Sequence, residues 1–183
     1  MPLPENAPNL IAFLKSLRAV RQFQKQEVPQ DVLTAILDVA RWSGSASNRQ
    51  PWELIIVRDR EMLQALAAVE GYVGHLAGAA VAIVLVMAGD AGQVEQETFD
   101  EGRLSERIML AAAAYSVGAS IGWFWGNGRS QVKHLLGIPQ GRLVRTAISL
   151  GYPDREAMRH RPRPAQARKP LLQIVHWERY GNK

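Results

Sequence analysis

The chain has 183 residues, 47% hydrophobic and 21% charged, which is enough apolar side chain to offset the entropy of ordering one domain and excludes a disordered chain. It has no cysteine, which excludes disulfides, thiolate metal sites and cysteine nucleophiles and fits a cytoplasmic location. The net charge of +5 sits wholly in the tail: residues 1–154 hold 14 Lys and Arg against 15 Asp and Glu, and residues 155–183 hold 8 against 2.

Leu10, Phe13, Leu14 and Leu17 recur at helical spacing and predict a first helix, after which the chain turns through Arg18 to Phe23. Pro29 suits the first turn of a second helix, whose apolar positions are Val32, Ala35, Ile36, Val39 and Ala40 and which Gly44 can end. Residues Ser43 to Asn48 then form a loop, and Pro51 introduces a strand from Trp52 to Val57. Asp59 can cap a short helix carrying Met62, Leu63 and Leu66. The run Val81 to Met87 suits a strand buried on both faces. A long helix follows from Val94 to Val117, with Leu104, Ile108, Ala111, Ala112 and Tyr115 on one stripe and Gly118 closing it. Beyond a Gly/Trp-rich stretch come a short helix from Ser130 to Leu136 and a strand from Val144 to Leu150, and Leu171 to Tyr180 reads as a final strand or arm. Helices and strands alternate irregularly, so the expected fold is α+β, a sheet flanked by helices in a single domain over residues 1–183.

Several function classes receive no support. The most apolar stretch, Ala77 to Ala88, falls short of the roughly 20 residues that span a bilayer, and no secretory signal is expected. His75, His134, His160 and His176 lack the spacing that sets two imidazoles on one helical face, so no metal site is expected. In residues 154–170 the arginines alternate with prolines and lack stacking aromatics, which makes a basic linker, with a local anion site near Arg168 and Lys169, a better reading than a nucleic-acid surface.

Three clusters carry chemistry. Arg18 and Arg21 stand three apart in the turn Leu17-Arg18-Ala19-Val20-Arg21-Gln22-Phe23, where they can converge on one anion or complement the end of the preceding helix. Ser45-Ala46-Ser47-Asn48-Arg49-Gln50-Pro51-Trp52 offers hydroxyls and amides suited to the edge of a heterocycle, although turn formation alone explains its Ser and Asn. Gly118 to Gly126 combines glycines every four residues with Trp123, Phe124 and Trp125, a pattern that lets backbone approach a flat ligand and also fits an aromatic core beside tight turns.

Taken in order, these clusters resemble the nitroreductase family of FMN-dependent, NAD(P)H-utilising oxidoreductases. Arg18 to Phe23 is similar to the family's Arg-Arg-Ser-x-Arg-x-Phe motif, Ser45 to Trp52 to Ser-x-x-Asn-x-Gln-Pro-Trp, and Gly118 to Gly126 to Gly-Leu-Gly-x-x-Trp-x-Gly. Phe99-Asp100-Glu101-Gly102 resembles the start of the central dimer helix, Leu150-Gly151-Tyr152-Pro153 a shared turn, and Arg168-Lys169-Pro170-Leu171 with His176-Trp177 the closing arm. The resemblance implies a mixed β-sheet flanked by helices, a long dimer helix, an exchanged C-terminal arm and a homodimer with FMN sites at its interface. It implies FMN as cofactor and NADH or NADPH as reductant, with a small-molecule acceptor such as a nitroaromatic or quinone. Arg18, Ala19, Val20 and Arg21 would hold the phosphate or the pyrimidine edge, and Ser45, Asn48 and Gln50 would reach the flavin from the partner chain. Trp125 and Gly126 would lie along the ring, and Arg168 and Lys169 would close on the phosphate. No side chain is assigned as catalytic acid or base, because the cofactor carries the chemistry. Leu17 and Ala19 depart from the family's first arginine and its serine, which opens the alternative of a flavin-binding or sequestering protein with little turnover; a flavin reductase is a further alternative.

Overall fold

An unbroken run of β-branched and other apolar residues belongs in the middle of a sheet covered on both faces, and every residue from Val81 to Met87 is buried. The structure, a computed structural model, describes residues 6–159 and 168–183. Its strands are β1 (Trp52–Val57), β2 (Val81–Met87), β3 (Gly118–Trp123) and β4 (Leu143–Gly151), in the spatial order β1-β2-β4-β3. The helices are α1 (Ala7–Ser16), α2 (Gln30–Arg41), α3 (Arg60–Ala68), α4 (Val94–Ala114), α5 (Gly128–Leu136) and the short α6 (Arg155–Arg159) and α7 (Leu171–Ile174).

The α+β class holds, with helices on both faces of the sheet. The sheet is not mixed, however: all three pairings among the described residues are antiparallel. The crossover through α4 leaves β2 and β3 running in the same direction, but β4 inserts between them and makes both contacts antiparallel.

Side chains of β2 alternate between two cores, as strand geometry requires. Ile83 and Leu85 meet Leu33, Ile36, Leu104 and Ile108 of α2 and α4 on one face. Ala82 and Val84 meet Leu63, Leu66 and Val132 of α3 and α5, together with Phe124, on the other. Asp59 caps α3 as expected, its carboxylate accepting from the Met62 N–H at 2.8 Å. Opposite the Leu85/Val86 step of β2, the partners in β4 jump from Thr146 to Val144, so Arg145 is the extra residue of a β-bulge. Arg145 pairs with Glu101 of α4 and donates to Thr98 Oγ1 at 2.7 Å.

Several expectations are corrected. The helix from Val94 stops at Ala114, with Tyr115 at its cap 47% exposed and Ser116 in the left-handed region at φ 58°. Gly118 therefore opens a strand instead of closing a helix, because β4 offers it a ladder along Gly118–Trp123. The second helix ends at Arg41, before Gly44, and Pro29 stands at its cap. Leu171 to Tyr180 begins with the four-residue α7 and forms no strand, since no described strand of the same chain pairs with it. Helix α1 buries none of its residues, leaving Leu10, Ile11 and Leu14 about half exposed. Part of the expected linker, residues 160–167, lies outside the described residues.

Candidate functional site

Strand β3 is an edge strand, and a different segment lies along each of its ends. At its start, the Val20 N–H donates to the Ala119 carbonyl at 2.8 Å. A Cβ on Gly118 would lie 2.7 Å from Val20, so the glycine admits the arginine turn against the strand. The turn continues just past the end of β4, where Phe23 bridges Pro153 and the Gln24 N–H donates to the Tyr152 carbonyl at 2.9 Å. At the far end of β3, the Tyr72 N–H donates to the Trp123 carbonyl at 2.8 Å and Gly71 bridges Phe124.

The sheet thus brings the first and third clusters to one edge. Val20 is buried and Ala19 half-buried, with Arg18 and Arg21 exposed on either side. Arg18 turns back on α1, donating to the carbonyls of Lys15 at 2.8 Å and Leu17 at 2.7 Å, the use expected of an arginine at a helix C-terminus. Arg21 faces His75 closely enough for its charge to act on the imidazole. Half-buried Trp125 meets Tyr72 edge-on, with ring centroids 4.5 Å apart at 78°. Gly126 is left-handed at φ 50°, and Trp123 and Ile121 are both more than a third exposed.

The second cluster lies elsewhere. Residues Ser45 to Gln50 lead into β1, the opposite edge strand, separated from β3 by β2 and β4. Ser45 Oγ accepts from the Gln50 N–H at 2.8 Å, Gln50 Nε2 donates to the Asn48 carbonyl at 3.3 Å, and buried Asp100 of α4 accepts from the Ala46 N–H at 3.2 Å. Ser47, Asn48 and Gln50 all hold positive φ, at 49°, 53° and 50°. Such backbone persists only where its surroundings over-determine it. Arg168 and Lys169 are exposed just ahead of α7. A single chain therefore unites Arg18 to Arg21 with Trp125 and Gly126 and keeps Ser45, Asn48 and Gln50 apart from them.

Three residues of this edge escape sequence reasoning: Glu70, Tyr72 and His75, all between α3 and β2. Their segment follows neither the helical nor the strand period, and the glycines at 71 and 74 are its only punctuation. His75 Nδ1 lies 2.9 Å from Ser149 Oγ, and its buried Nε2 has no hydrogen-bond partner among the described residues. Burial pushes the imidazole below its ordinary range and the Arg21 charge pushes further; the backbone of Ile121 and Tyr72 opposes both in part.

The edge thus carries Arg18 and Arg21 beside its start and exposed aromatic and glycine backbone at its end. The nitroreductase family model matches residues 14–71, which contain the arginine turn, the Ser45 to Trp52 loop and the Glu70–Gly71 step. A relative from Methanothermobacter thermautotrophicus, whose name pairs NADH dehydrogenase with NAD(P)H nitroreductase, is 30% identical over 148 residues, covering 79% of this chain and 78% of its own. The NADPH-flavin oxidoreductase of Vibrio harveyi is 23% identical over 185 residues, covering 94% of this chain and 75% of its own. Among solved structures, an FMN-dependent nitroreductase from Clostridium difficile R20291 superposes with a TM-score of 0.80 at 24% identity, covering 93% of this chain and 99% of that one. The chain belongs to the nitroreductase family of oxidoreductases.

Proposed function

We propose that the chain binds FMN along the β3 edge and, as a homodimer, passes reducing equivalents from NADH or NADPH to a small acceptor such as a nitroaromatic or a quinone. The observation that carries this reading is the polarity of the edge. Arg21 stands near its start, while Tyr72, Trp123, Trp125 and Gly126 lie at its end, which suits a phosphate joined to a flat ring. The names of the Vibrio harveyi and Clostridium difficile proteins, which specify flavin and FMN, support the same cofactor. Bound FMN supplies the hydride chemistry, serving reductant and acceptor in separate half-reactions, a ping-pong scheme. The chain's own residues bind and orient: Arg18, Ala19, Val20 and Arg21 at the phosphate or pyrimidine edge, Trp125 and Gly126 along the ring, and Arg168 and Lys169 closing from the tail.

What one chain leaves open supports the dimer. Ser45, Asn48 and Gln50 lie off the opposite edge, so they reach a flavin on β3 only from a second copy. Along α4 runs an open groove of about 990 Å³ that includes Val39, Phe99, Gly102 and Leu110, with Phe99 75% exposed. Helix α1 and the C-terminal residues Leu171, Leu172, Ile174 and Trp177 are likewise uncovered, which suits exchanged arms. The residues described form no helix long and apolar enough to cross a membrane.

Leu17 and Ala19 favour a second reading, a flavin-binding protein with little turnover, because the phosphate turn lacks one cation and one hydroxyl of the family motif. One experiment separates the two. The protein is titrated with FMN by visible absorbance, and NADH or NADPH is then added without oxygen. Bleaching of bound flavin supports the oxidoreductase, bound flavin that stays yellow supports the second reading, and failure to bind FMN refutes both.

A further inference from the structure

The segment Glu70–Tyr72 holds the turn from Trp125 to Asn127 at several points. Oε2 of Glu70 accepts from the Asn127 N–H at 2.9 Å, and its carbonyl accepts from the Trp125 N–H at 3.3 Å. A Cβ on Gly126 would lie 2.5 Å from the Glu70 carboxylate, and one on Gly128 would lie 1.9 Å from the Glu70 carbonyl. Both glycines are thus spaces that Glu70 fills. Asn127 is also the cap of α5, so the carboxylate sits at the positive end of that helix and its hydrogen bond is charge-assisted. The Gln131 side chain, one turn into α5, accepts from the Glu70 N–H at 3.4 Å, tying the same residue to the helix a second time.

From these contacts we propose that Glu70 is a positioning residue for the flavin site, fixing the Trp125–Gly126 backbone through its acceptor contact with Asn127; this rests on the FMN reading above. Glu70 touches no reacting atom in this role. It holds Gly126 in its left-handed conformation and keeps Trp125 against Tyr72, so the ring end of the edge is formed before any ligand arrives. The competing role is a helix cap that matters for stability alone, and the two roles separate in the affinity for FMN.

The test compares wild type, Glu70→Ala, Glu70→Gln and Glu70→Asp by FMN titration at a temperature where circular dichroism shows each folded. Glu70→Ala is expected to weaken FMN binding by about tenfold or more, and Glu70→Gln, whose amide oxygen can take the same N–H, to remain within about threefold of wild type. Glu70→Asp keeps the charge but shortens the reach; it is expected to behave like Glu70→Ala and serves in its place if that variant does not fold. Unchanged FMN affinity in both shortened variants, with only the melting temperature lowered, overturns the proposal in favour of a cap. Glu70→Gln as weak as Glu70→Ala overturns it in favour of charge alone. Wild type that binds no FMN removes the cofactor reading, and this inference with it.

Discussion

Arg145 and Glu101 form an ion pair buried on both sides, with side-chain exposures of 9% and 4%, joining the bulge of β4 to the middle of α4. The bulge gives the arginine its aim, since the extra residue leaves the ladder and its side chain crosses to the helix. Arg145 Nε and Glu101 Oε1 have no partner among the described residues, so the pair is not fully satisfied. Breaking it should therefore cost much more than replacing it. Arg145→Met or Glu101→Leu alone is expected to lose about 3 to 5 kcal/mol, while the double variant recovers most of that. Urea unfolding midpoints at constant slope measure the cycle, and additive losses would refute the coupling.

His75 makes stability depend on pH in one direction. Its folded pKa lies below the ordinary imidazole value of 6.5, so below that value the unfolded chain binds the proton more readily than the folded one. Stability is full above pH 6.5 and declines as pH falls from there toward the lowered folded value. Replacing His75 with Asn should flatten this part of the profile, which chemical denaturation between pH 7.5 and 5 would reveal. An unchanged slope would mean that other groups cause the acid loss.

Gly118 is predicted to be intolerant of any side chain because Val20 occupies the space. Gly118→Ala places a methyl 2.7 Å from Val20 Cβ, and overpacking of this kind costs about 1 to 3 kcal/mol. Since Val20 stands between Arg18 and Arg21, the displacement should also weaken FMN binding. Adding Val20→Gly, which removes the Cβ together with both methyls, should restore part of both the melting temperature and the affinity. If the second change rescues neither, the two residues are not in the contact described.

Leu17 offers a gain-of-function test of the phosphate turn. It caps α1 beside Arg18, at the position where the family motif has an arginine. A charge-assisted hydrogen bond contributes about 1.5 to 3 kcal/mol, so Leu17→Arg should tighten FMN about 10- to 100-fold if the turn binds the phosphate. Isothermal titration would measure this directly. Equal affinity in both proteins would move the phosphate away from this turn.

Much of the fold was legible in the sequence because it depends on local pattern. The buried run Val81 to Met87 and the helix capped by Asp59 follow from periodicity and capping chemistry that need no distant partner. The motifs Arg18 to Phe23, Ser45 to Trp52 and Gly118 to Gly126 likewise carry the family resemblance within the sequence itself. What the sequence could not decide depends on contacts between residues far apart in the chain. Gly118 to Trp123 is a strand only because β4 lies beside it, and β4 makes the sheet antiparallel by entering between β2 and β3. Glu70, Tyr72 and His75 come to this edge only because their segment, aperiodic in sequence, meets the end of β3 and Ser149 of β4. Short-range periodicity sets which residues form helices and strands, but which edge of the sheet gathers the functional groups is decided by pairing across the whole chain, and that is a property of the tertiary structure alone.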